Sequence, residues 1–174
     1  MTDITVSTAA MREKRQAAVH MNKKKHRLVA GILFLIYFVV LFYFLFFSER
    51  MGRTFTERAY HYNLVPFKEI GRFLKHWKTL GTEAVLLNIV GNVMAFMPFG
   101  GFLPIFSSRC RKVLMTAFYS FELSLLVELL QLMFRVGSFD VDDLLLNTAG
   151  GILGFFVYKG TMHIIRSRKR GGTS

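Results

Sequence analysis

The sequence predicts an all-α integral membrane protein, with four transmembrane helices and an interfacial amphipathic helix in the loop between the first two. Three observations carry this reading. Of 174 residues, 52% are hydrophobic and 19 are Phe, too apolar for a soluble domain of this size. Four stretches, 28–47, 84–106, 113–134 and 144–165, are each long enough to cross the hydrocarbon of a bilayer. The net charge of +12 sits in blocks between those stretches, not along one face, which points to basic cytoplasmic ends and away from a nucleic-acid partner.

Residues 1–27 form a basic segment with seven Lys and Arg. Met21 opens MNKKKHRL, an ordinary start before a membrane span, so starts at Met1 and at Met21 are both compatible with the sequence. Leu28 to Phe47 is the first span: twenty residues without a charge, about 30 Å of helix. It is longer than a signal-peptide core and lacks a small-residue cleavage site, so we read it as an uncleaved signal anchor. The loop from Ser48 to Thr82 contains NLVPF and then FKEIGRFLKHWKTLG. Phe67, Ile70, Phe73, Leu74 and Trp77 recur at roughly helical spacing among Lys68, Arg72, Lys75 and Lys78, as in a helix lying in the headgroup layer. The second span, Ala84 to Phe106, contains Pro98 and Pro104; Pro98 should kink this helix or end it early. Val113 to Phe134 is the third span and Leu144 to Ile165 the fourth. Gly150 and Gly154 in the fourth form a GxxxG pair, whose first use is close helix packing in lipid. The basic tail is 166–174. The only cysteine, Cys110, lies in the loop SSRCRK, so no internal disulfide forms.

Orientation follows from the basic residues near the spans. The N-terminal segment has seven, the 107–112 loop three and the chain from Lys159 five. The 48–82 loop has seven offset by three acids, and the 135–143 connection has one. Both termini are therefore expected in the cytoplasm, with the long loop and the connection outside.

The third and fourth spans also carry polar residues at helical spacing. Ser124, Glu128, Gln131 and Arg135 share one face of the third, and Asp143, Asn147, Gly150 and Gly154 one face of the fourth. Asn88 and Asn92 share a face of the second. With the termini inside, Asn88 and Asn92 lie about 6 and 12 Å below the outer end of their span, Glu128 and Gln131 about 9 and 5 Å, and Asn147 about 5 Å. Groups from three helices thus agree in depth and can meet in one cavity opening outward. Two readings of that cluster stand. In one, Glu128 is an internal tie hydrogen-bonded to Asn92 or Asn147, and the amides glue the spans. In the other, the cluster contacts a ligand. Arg135 suits a bidentate phosphate contact or a salt bridge to Asp140 or Glu128. Asp140, Asp142 and Asp143 suit capping of the fourth helix or a divalent cation. Glu122 points away from Glu128, near the midplane, and is assigned to a helix–helix contact or to a neutral acid. No Walker loop, dinucleotide fingerprint, HExxH or GxSxG is present, so no cofactor or metal is expected.

NLVPF, LNIVGNVMAFMPFGGFLP, VELLQ and RVGSFDVDDLLLNTAGG, in that order and spacing, resemble the VanZ-like membrane proteins. The resemblance covers Asn63 to Phe67 and roughly Leu87 to Gly154; Glu122 stands outside its pattern. It implies a multispanning protein of the bacterial cell membrane, with 28–165 as the family domain. It also implies association with resistance to teicoplanin, a lipid-tailed glycopeptide antibiotic that targets cell-wall precursors. The polar positions that match are Asn63, Asn88, Asn92, Glu128, Gln131, Arg135, Asp140, Asp143 and Asn147. Three functions compete. A binding protein would hold an amphiphilic lipid, lipid-linked cell-wall precursor or lipoglycopeptide in the polar cavity. An intramembrane enzyme would use Glu128 or an Asp as base and Arg135 on phosphate, but lacks an evident nucleophile. A small transporter would relay through Glu122 and Glu128, but no inverted repeat is visible.

Overall fold

The computed structural model describes Met21, Lys24, Lys25 and residues 27–48, 62–135 and 138–171. Most of the basic segment expected over 1–27 therefore lies outside the described residues, as do parts of both polar loops. Internal contacts separate two units, 1–36 and 37–174. In the first, the described residues from Arg27 on are helical, and Leu28, Ile32, Leu35 and Ile36 are exposed.

The protein is an all-α membrane protein. Four helices are long and apolar enough to cross a membrane: Arg27–Phe46 (α1), Val85–Phe106 within α4, Val113–Phe134 (α5) and Val141–Arg168 within α6. Between α1 and α4 come a two-residue strand, β1 (Tyr62–Asn63), and the short helices α2 (Lys68–Lys75) and α3 (Trp77–Leu80). A second two-residue strand, β2 (Phe139–Asp140), leads straight into α6 (Val141–Gly171). The strands pair in parallel, Tyr62 against Phe139 and Asn63 against Asp140, and pin the long loop to the α5–α6 connection.

Inside residues 37–174 the distribution of polarity is that of a lipid-solvated protein. Leu86, Leu87, Met94, Leu114, Phe118, Leu126 and Phe156 are exposed. Thr116, Ser120, Ser124, Glu128, Gln131, Asp142 and Asn147 are buried. Hydrocarbon gives helices no hydrophobic reason to associate, so packing and interhelical hydrogen bonds must hold them. A small apolar core of Leu41, Phe96 and Val127 joins α1, α4 and α5, and the Tyr37 hydroxyl donates to the Ala95 carbonyl at 2.7 Å.

Close backbone contact joins α4 (Thr82–Phe106) to α6. A Cβ on Gly150 would strike the Val93 backbone, one on Gly154 the Met97 and Gly101 backbones, and one on Gly100 the Gly151 backbone. The GxxxG pair is thus a packing surface, because only glycine leaves room for the facing main chain. These pairings rise together along both chains, so α4 and α6 run in the same direction. Asn147 meets Ser124 and Gly151 meets Ser120, so α5 runs against them. The long loop and the α5–α6 connection consequently lie at the same end of the bundle, called here the polar end.

The structure refines two expectations. Of the two outcomes expected at Pro98, an early end does not occur: α4 continues through it and Pro104 to Phe106. A membrane helix tolerates the lost hydrogen bond where neighbouring groups compensate the freed carbonyl. The amphipathic segment is also two helices, not one: α2 stops at Lys75, and α3 restarts at Trp77 after a non-helical His76. Leu74 and Trp77 remain exposed, as suits a helix resting on lipid.

Candidate functional site

The polar face of α5 is continuous. Thr116, Ser120, Ser124, Glu128 and Gln131 recur every three or four residues and are all buried, Glu128 at 2% exposure. The expected stripe of Ser124, Glu128 and Gln131 is thus inside the bundle, and Thr116 and Ser120 extend it. Arg135 ends the helix in a left-handed conformation at φ 53° and is exposed. On α6, Asn147, Gly150 and Gly154 are buried and Asp143 half-buried, as the second stripe predicts.

The carboxylates meet main-chain donors. One Glu128 oxygen, Oε2, accepts the Asp140 amide at 2.9 Å. This corrects the expected partner: Glu128 ties α5 to the start of α6, whereas Asn92 and Asn147 have other acceptors. The Asn92 side-chain amide donates to Asp143 at 2.6 Å, and that of Asn147 to the Ser124 hydroxyl at 2.9 Å. Gln131 donates to the Leu45 carbonyl at 3.0 Å, joining α5 to the end of α1. Asn63 donates to Asp140 Oδ1 at 3.1 Å, alongside the β1–β2 pairing. Asn88 is half-buried on α4, with no hydrogen bond to this cluster among the described residues.

Asp140 and Asp142 each complete a helix N-terminus. Asp140 precedes α6 and accepts the Asp142 amide at 2.8 Å, so it caps its own helix. Asp142 serves a different one. The residue before α2 is Phe67, which has no side-chain acceptor and a left-handed backbone at φ 63°. Asp142 supplies the missing acceptor: it takes the Phe67 amide on one oxygen, and the Glu69 and Ile70 amides at 2.8 and 3.0 Å on the other. The carboxylate also faces the positive end of the α2 dipole. At 1% exposure it is the most buried aspartate of the group. Sequence reasoning placed Asp142 among three interchangeable acids and left it off the site. No local signal marks it, because the helix it caps lies more than 70 residues earlier.

The three aspartates therefore spend oxygens on amides, and among the described residues no group of His, Cys, Asp or Glu is arranged to hold a metal ion. Burial pushes the Asp140 carboxyl above the ordinary carboxylate range, with the Asp142 amide and Asn63 pulling the other way. Chemically, the cluster is a set of interlocking ties with Arg135 exposed at its edge.

A cavity of about 400 Å³ lies elsewhere on the same helix pair. Met94, Met97, Pro98, Phe102, Tyr158 and Met162 line it, between α4 and α6. It opens to one side and begins within one turn of Asn92. Its lining is apolar, and it runs along α4 and α6 away from the polar cluster.

Comparison with known proteins places this fold. The chain is 28% identical over 138 residues to Protein VanZ of Enterococcus faecium, covering 72% of this chain and 71% of that one. No solved structure matches. The VanZ/LLP1 family model matches residues 34–166, which takes in α1 from its eighth residue, the whole polar cluster and the α4–α6 groove. The chain belongs to the VanZ/LLP1 family.

Proposed function

We propose that the protein binds an amphiphilic molecule of the bacterial cell envelope without transforming it. The ligand would be a membrane lipid, a lipid-linked cell-wall precursor or a lipoglycopeptide of the teicoplanin type. One observation carries this reading: the polar cluster heads a parallel helix pair whose apolar groove starts within a turn of Asn92. A headgroup would meet Arg135 and the outer edge of the Asn63–Asp140 and Asn92–Asp143 pairs. The tail would follow the groove from Met94 to Ile105, about 17 Å of α4. The buried face of Glu128, Gln131 and Asn147 would hold the three helices in register around that path.

The same reading includes location. We place the protein in the bacterial plasma membrane with both termini cytoplasmic and the polar end outside, supported by the blocks of Lys and Arg. A role in teicoplanin-type resistance follows from ligand capture at the outer surface and from the resemblance to Protein VanZ.

Native mass spectrometry of detergent-extracted protein tests it. Wild type should carry an amphiphile that is released chemically unchanged. Met94→Trp, which fills the groove, should lose it, and Arg135→Gln should weaken it. Protein that carries no amphiphile, or Met94→Trp that retains it undiminished, would sink the reading. Turnover of a labelled lipid by wild type and not by Glu128→Gln would replace it with the enzyme reading.

A further inference from the structure

The outer face of α5 carries a carboxyl that the polar cluster does not use. Glu122 is exposed, nine residues from Val113 and twelve from Phe134, hence about 14 and 18 Å from the two ends of the helix. An acid at that depth in hydrocarbon is costly unless it faces a partner or water. Among the described residues Glu122 has no hydrogen bond or ion pair. Its neighbours on the same face are Met115, Phe118, Leu126, Leu129 and Met133, all exposed. With Glu122 they recur at intervals of three and four, the spacing of a helix–helix seam, on the side of α5 turned away from Ser120 and Ser124.

We infer that this face packs against a second copy of the chain, with the two Glu122 carboxyls meeting and sharing at least one proton. The argument is one of self-complementarity. Copies inserted in the same orientation, related by a two-fold axis along the membrane normal, set their α5 helices parallel and their Glu122 residues at equal depth. A protonated carboxyl donates and its twin accepts, so the pair needs no second charged group in hydrocarbon. Any other protein would have to bring a polar group to that same depth; a second copy does so by symmetry. This inference stands apart from the ligand reading, since neither the groove nor the polar cluster takes part.

The test combines stoichiometry with cross-linking in lipid nanodiscs. Wild type and Glu122→Gln should both be dimers, because an amide pair also donates and accepts. Glu122→Leu should dimerise at least tenfold more weakly. In a Cys110→Ser background with Glu122 intact, Phe118→Cys or Leu126→Cys should oxidise to a disulfide-linked dimer, whereas Phe156→Cys on α6 should not. A monomeric wild type, an undiminished Glu122→Leu dimer, or failure of both α5 cysteines to cross-link would each overturn the proposal. So would loss of the dimer in Glu122→Gln, which would indicate an ion pair such as one with Lys159 of a neighbour. If Glu122→Leu fails to fold, the cysteine pairs decide alone.

Discussion

Asp142 illustrates how a single side chain can hold a distant element. Its two oxygens take three main-chain amides of the α2 entry, and the preceding Phe67 cannot substitute for it. Asp142→Ala should therefore destabilise this end of the protein by about 2 kcal/mol or more, from a lost cap and orphaned donors. Faster tryptic cleavage within Lys68–Lys75 would report it; unchanged protection would count against the cap. Asp140 makes a pH prediction. Burial raises its folded-state pKa, so the folded protein holds this proton more tightly than the unfolded chain does. Its contribution is fully present below the ordinary carboxylate range and is lost as pH rises through the raised value. Asp140→Asn can keep Oδ1 for Asn63 and Asp142 but has no charge to desolvate. The melting temperature of Asp140→Asn relative to wild type should then climb between pH 4 and pH 7; a constant difference would contradict the burial argument.

At the scale of elements, the α4–α6 pair depends on missing side chains. Gly154→Ala would press a methyl against two backbones, which cannot rotate away, whereas Gly160→Ala meets nothing within 4 Å. The first should cost about 1–3 kcal/mol and the second should be near neutral or slightly stabilising. Paired thermal melts in one detergent would separate them. Gly151→Ala is intermediate, because it meets the Ser120 side chain, not main chain. On α5 the division is sharp: one face buries hydroxyls, Glu128 and Gln131, and the other faces outward with Glu122 at its centre.

For the whole molecule, parallel α4 and α6 with antiparallel α5 require the polar loops to share an end. Reporters fused after Ser174 should be cytoplasmic. A cysteine at the exposed Leu64, in a Cys110→Ser background, should react with a membrane-impermeant reagent added outside intact cells. Labelling only after lysis would reverse the orientation. Asn63→Ala should loosen the tie between the long loop and the connection while leaving the spans helical, read as lost tryptic protection at unchanged helix content.

Much of this was legible in the sequence. Apolar runs of twenty or more residues admit few folds, because unpaired backbone in hydrocarbon is so costly that helices must form. Helical spacing then put Ser124, Glu128, Gln131 and Asn147 on inward faces, since lipid drives polar side chains to the interior. Spacing along one helix does not say which donor on another will meet an acid. Glu128 takes the Asp140 amide, Asn92 donates to Asp143, and Asp142 reaches a helix entry far back in the chain, because all three depend on how the strands and helix ends are stacked at the polar end. How closely α4 and α6 approach likewise waited on tertiary structure: facing glycine backbones set that distance, which no single stretch of sequence encodes.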